Sequence, residues 1–154
     1  MELKPLDIRE DVSIQHAYFQ TPLPTPPHLD VLVVRFNGVS GFGCANNDDA
    51  NYMAAMIHAG IVAWDPSAIL LDLREMAYEW GDMMANPLCA GFRHYADGSD
   101  LPLAVVVSDL NREGLTSLVT DGMHSVDPAS VLFETTEAAI VQLDKANNAL
   151  DSRL

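Results

Sequence analysis

Basic residues are scarce in this sequence. Eight Lys+Arg stand against 22 Asp+Glu among 154 residues, a formal net charge of −14. A field of that sign repels phosphate backbones and anionic lipid surfaces, so neither nucleic acid nor membrane is an expected partner. Cysteine is almost as rare. Cys44 and Cys89 are too few and too far apart for a disulfide framework, and two reduced, buried thiols are expected. No apolar run approaches the ~20 residues of a membrane span, and Met1-Glu2-Leu3-Lys4 lacks the basic head and apolar core of a signal peptide. The expected compartment is the cytoplasm. Charged residues make up only 19% and apolar ones 49%, a balance that argues against disorder and supplies one core rather than two.

What is present is a succession of apolar runs and turns. Residues 1–30 read as a lead-in, with a β-prone stretch from Val12 to Phe19 followed by the proline-rich Thr21-Pro22-Leu23-Pro24-Thr25-Pro26-Pro27. Prolines at that density fit neither a helix nor a central strand, and the run reads as an extended connector. Residues 31–150 then form the main domain. Val31–Phe36, Ala68–Leu73, Leu103–Val107 and Val131–Phe133 are almost continuously apolar, the pattern of strands buried on both faces.

Helical stretches lie between these runs. Asn47 or Asp48 starts one that carries Met53, Met56, Ile57, Ile61 and Trp64 at helical spacing. Asn86-Pro87 starts a second that carries Leu88, Phe92 and Tyr95 and ends at Gly98, and Asn111–Thr120 and Thr136–Ala149 give two more. The order β-β-α-β-α-β-α-β-α predicts a single α/β domain with a mixed, mostly parallel sheet of about five strands and about four helices.

Motifs of catalysis are weak. Gly38-Val39-Ser40-Gly41-Phe42-Gly43 has the wrong order for a dinucleotide or phosphate loop, and Asp48 and Asp49 would repel a phosphate at the following helix, so a structural turn is expected. His16, His28, His58, His94 and His124 show no metal-ligand spacing. Ser108 ends a strand, yet its neighbours Asp109-Leu110-Asn111 read as a helix cap. No catalytic, metal or cofactor-binding residue is assigned, and no cofactor is expected.

The segment from Asp72 to Asp82 stands apart. It leaves the C-terminal end of a strand, where open α/β sheets bind their ligands, and gathers Asp72, Glu75, Glu79 and Asp82 around Arg74. Tyr78 and Trp80 add two aromatics with polar tips. Such a combination suits a protein interface whose partner is basic. The same carboxylates also fit acid/base or Mg²⁺ chemistry, and equally a solvated face.

Four places resemble the STAS domain, the fold of anti-sigma-factor antagonists: Val31 to Gly38, Ile69 to Leu73, Leu103 to Leu118, and Val131-Leu132-Phe133-Glu134 with Thr136-Glu137-Ala138-Ala139. The family's Asp-Ser-Ser-Gly string is absent. Its place falls on Trp80-Gly81-Asp82-Met83, so the regulatory phosphoserine of antagonist members would be replaced at or near Asp82 by a fixed, smaller negative charge. Leu70 to Arg74 and Leu101 to Val107 also resemble the strands that frame the site of the ClpP/crotonase superfamily. That family's paired glycines, nucleophilic serine and lysine are missing, which would make such a fold inactive.

Three functions follow as expectations. The first is a non-enzymatic regulatory module that docks a protein through Asp72, Glu75, Tyr78, Glu79, Trp80 and Asp82, with a homo-oligomer also open. The second is an immunity or antitoxin-type inhibitor whose charge steers it to a basic toxin. The third is a small-molecule or acyl-transfer enzyme that uses Asp72, Glu75, Asp82, His94 and Ser108.

Overall fold

Apolar runs without alternation become strands covered on both sides. In the computed structural model, which describes residues 1–152, five strands form one sheet in the order β1-β2-β3-β4-β5. They are β1 (Ile14–Pro22), β2 (Asp30–Val39), β3 (Ala68–Ala77), β4 (Leu103–Val106) and β5 (Leu132–Phe133). β1 is antiparallel to β2, and the remaining neighbours are parallel. The helices are α1 (Asn47–Trp64), α2 (Ala85–Leu88), α3 (Arg112–Ser117), α4 (Pro128–Val131) and α5 (Thr136–Asp151). This is the mixed, mostly parallel α/β sheet that the patterning predicts.

Alternate residues of each strand feed two cores. Leu32, Val34, Phe36, Ile69, Leu71, Leu73 and Val105 face α1, where Tyr52, Met53 and Ile57 meet them. Val31, Leu70, Ala104 and Val106 face α5 through Ala139 and Leu143. The helix boundaries follow local chemistry. The Thr135 hydroxyl accepts from the Ala138 N–H to start α5, and Asp127 accepts from the Ala129 N–H to start α4. Asp65, left-handed at φ 45°, ends α1.

Several expectations are corrected by tertiary contacts. The proline run is a tight turn rather than an extended connector. Leu23 is buried in the α5-side core, its N–H donates to the Leu29 carbonyl, and Thr25 donates through its N–H and hydroxyl to Asp144 of α5. The helix expected from Asn86 to Gly98 stops at Leu88. Leu101 donates its N–H to the Gly91 carbonyl, and a Cβ on Gly91 would lie 2.2 Å from the Leu101 oxygen. That close backbone approach takes the chain out of the helical path, and Phe92 and Tyr95 stay exposed. The helix expected over Asn111–Thr120 is α3 followed by a π-helical turn over Leu118–Gly122. Val131 ends α4 instead of starting a strand.

Both thiols are free and exposed, against the expectation of burial. The buried positions beside them belong to Asn46, Leu88 and Ala90. Among the described residues no helix is long and apolar enough to cross a membrane.

Candidate protein-docking site

β3 extends past the point where its apolar run ends. Asp72 and Glu75 therefore lie on the strand, and only the residues from Tyr78 onward form a loop. Arg35 pairs with Asp72 across β2 and β3, whereas Asn37 pairs with Glu75, so β3 carries one extra residue there. This bulge breaks the alternation: Leu73 and Met76 are both buried, while the consecutive Arg74 and Glu75 are both exposed.

Asp72 is buried, with its side chain only 5% exposed. Its carboxylate accepts from Arg74 Nε at 2.8 Å and Nη2 at 2.8 Å, and from Arg35 Nε at 3.0 Å. Burial alone would raise its pKa. The hydrogen bonds from Arg74 and Arg35 outweigh that and hold it below the usual carboxylate range. The acidic cluster read from the sequence thus loses Asp72, which is neutralised inside the fold by a second arginine that local sequence did not show.

Tyr78 also turns inward. Its N–H donates to the Leu110 carbonyl, and its hydroxyl donates to the Gly81 carbonyl at 3.1 Å. Burial, and secondarily the negative Asp82, pushes the phenol up to about 12. The expectation of two outward aromatics becomes one. Trp80 is 58% exposed, and Glu75, Glu79 and Asp82 are exposed as well.

The loop that carries Trp80 is held from beneath. Gly43 has φ 53°, and a Cβ built there would fall 2.6 Å from the Trp80 ring. Gly81 has φ 147° and packs on the Asn46 side chain, which in turn donates to the Ser40 hydroxyl. Gly114 of α3 meets the Glu79 carbonyl so closely that a Cβ would lie 2.3 Å from it. The glycine-rich string after β2 therefore serves as the seat of Trp80, not as a phosphate cradle. Asp49 completes that turn by accepting from the Gly41 N–H and from the N–H and hydroxyl of Ser13.

Val39 at the end of β2, and Phe42 and Leu110 on the loops that follow β2 and β4, are exposed apolar residues at the same end of the sheet as Trp80. No local signal singled them out. They become legible only once the parallel strands place their C-terminal loops side by side.

The remaining polar candidates have structural partners. The Ser108 hydroxyl donates to the Arg74 carbonyl, and the Asn111 amide donates to the carbonyls of Leu73 and Met76, tying β4 to the end of β3. His16 shares a hydrogen bond with the Tyr52 hydroxyl at 2.6 Å, and burial, then Arg9, lowers its pKa. His94 stacks edge-on with Tyr95. Among the described residues no group of three or more His, Cys, Asp or Glu side chains gathers as a metal site would require.

Neither a family profile nor a curated protein matches this sequence. Among solved structures, the fold is similar to the crystal structure of an anti-sigma factor antagonist from Mycobacterium paratuberculosis. The TM-score is 0.53 at 19% identity, over 84% of this chain and 94% of that one. This likeness bears out the STAS-type architecture, and the ClpP/crotonase resemblance gains no comparable support.

Proposed function

We propose that this chain, which has the fold of an anti-sigma factor antagonist, is a non-enzymatic regulator that acts by docking a protein partner at the Trp80 end of its sheet. The observation that carries the reading is Trp80 itself. A large aromatic is left exposed while its ring is fixed against Gly43 and its loop against Asn46 and Gly114. Holding an exposed tryptophan in place removes much of the ordering cost of binding, which is what an interface anchor requires.

Glu75, Glu79 and Asp82 supply an acidic rim, so the partner carries a basic surface and the two attract at a distance. Asp82 gives that rim a permanent charge, and docking here is not switched by phosphorylation of a serine at this place. The pairing of Asp72 with two arginines removes the best-placed carboxylate from acid/base work, which favours docking over catalysis. The chain would act in the cytoplasm, without cofactor.

Affinity capture from the source cell, with the native chain, Trp80→Ala and Asp82→Lys run side by side, tests the proposal. A partner held by the native chain and released by both variants supports it. A partner held equally by all three overturns the assignment of this surface.

A further inference from the structure

The edge of the sheet at β1 has a different character. The chain carries 22 carboxylates, yet residues 12–29 contain no Asp, Glu, Lys or Arg, and α1 contains none from Ala50 to Trp64. The fold brings these two charge-free segments together. Tyr18 donates its hydroxyl to the Met56 carbonyl, its ring stacks 4.8 Å from that of Trp64, and Gly60 lets the helix approach the Tyr18 ring.

β1 is an edge strand, and among the described residues β2 is its one neighbour in the sheet. Its nine residues would extend about 30 Å at ~3.4 Å each. None of the devices that usually blunt an edge is present along it: it has no lysine, no inward charge and no bulge against β2, and its one proline is the terminal Pro22. Arg9 reaches only the Ile14 end, where it donates to the Ile14 carbonyl.

Beside this edge, the helix row Tyr52, Met56, Gly60 and Trp64 lies against β1. The neighbouring row presents Ala59, Val62 and Ala63 to solvent, with Val62 85% and Trp64 54% exposed. On the other side of the sheet Phe19 is 47% exposed. A cavity of about 200 Å³ lined by Tyr18, Phe19, Gln20, Asp30, Leu32, Trp64 and Pro66 opens at the same place, with Asp30 the one carboxylate among its lining residues.

We propose that this surface binds a second copy of the chain, with β1 pairing antiparallel to its symmetry mate and the α1 flanks packing across the two-fold axis. The charge distribution selects that occupant. Two molecules of −14 each repel over most of their surfaces, and the charge-free lengths of β1 and α1 let them meet with Asp30, opposite Pro22, and Asp65, at the end of α1, at the margin of the contact. A basic partner, by contrast, finds no carboxylate on β1 itself or on α1 from Ala50 to Trp64. Antiparallel pairing of identical strands satisfies the free edge amides and carbonyls reciprocally, as a two-fold interface must.

The electrostatic signature separates this contact from the docking at Trp80. Attraction between unlike charges weakens as salt is added, whereas association of two like-charged copies tightens as their repulsion is screened. Sedimentation of the full chain as a function of concentration and salt tests the proposal, with Val62→Glu, Ala59→Glu and Trp80→Ala alongside. The expected result is a dimer whose dissociation constant falls as salt rises and increases at least ten-fold in Val62→Glu and Ala59→Glu. Trp80→Ala dimerises as the native chain does.

Hydrogen exchange gives a second measurement that needs no variant. Alternate amides from Gln15 to Thr21 gain protection as concentration rises. A full chain that stays monomeric at high salt, or a dimer in which neither the β1 amides nor the two α1 variants respond, overturns the inference. Neither result bears on docking at Trp80, which uses other residues and the opposite salt dependence.

Discussion

Gly43 lies against the Trp80 ring, so close that a single added methyl group would sit 2.6 Å from the indole carbons. The contact joins the loop after β2 to the loop after β3 and makes an exposed side chain rigid. Gly43→Ala must therefore both push the ring aside and strain a left-handed residue, at a cost of about 1–2 kcal/mol for the backbone alone. In a Trp64→Phe background Trp80 is the sole tryptophan, and its fluorescence anisotropy should fall in Gly43→Ala while the far-ultraviolet spectrum stays unchanged.

Asp72 offers a test of the buried ion pair. Asp72→Asn leaves Arg35 and Arg74 without their shared carboxylate and should cost about 1.5–3 kcal/mol at neutral pH, measured by urea unfolding. The folded carboxyl titrates below its ordinary value, so its contribution is complete above that value and is lost as pH falls through the lower folded one. The stability gap between native chain and variant should accordingly be constant from pH 7 to about pH 5 and close below about pH 4.

Tyr78 gives the opposite limb of the pH profile. Its phenol is raised to about 12, so the folded state keeps the proton that the unfolded state loses near its ordinary value of 10. Stability should decline between pH 10 and 12, and Tyr78→Phe should remove its share of that slope. At neutral pH the same variant loses one hydrogen bond to Gly81 and should be destabilised by about 0.5–1.5 kcal/mol.

Gly114→Ala probes the support of the loop from the far side. The new methyl group would meet the Glu79 carbonyl, a backbone atom that cannot rotate away, and α3 must move off the sheet end. A loss of about 1–3 kcal/mol is expected in thermal unfolding, together with weakened partner capture through the displaced Trp80.

These residues also show where sequence reading succeeds and where it stops. β2, β3 and β4 are legible because strands covered on both faces need unbroken apolar runs, and α5 is legible because Ala139 and Leu143 share one face at helical spacing. α2 is overestimated because Leu101, ten residues beyond Gly91 in the chain, captures its carbonyl. Arg35 is missed for a related reason. Its partnership with Asp72 depends on the register between two parallel strands, which no local pattern encodes. Tyr78 and Trp80 look alike as aromatics two residues apart, and only the carbonyls of Leu110 and Gly81 draw one of them inward.

The docking of a basic partner on Trp80 is the central claim, and titration calorimetry with the captured partner tests it most directly. The account predicts that Trp80→Ala weakens binding by about 2 kcal/mol or more and that affinity for the native chain falls steadily as salt rises. An affinity that neither Trp80→Ala nor salt changes would contradict it.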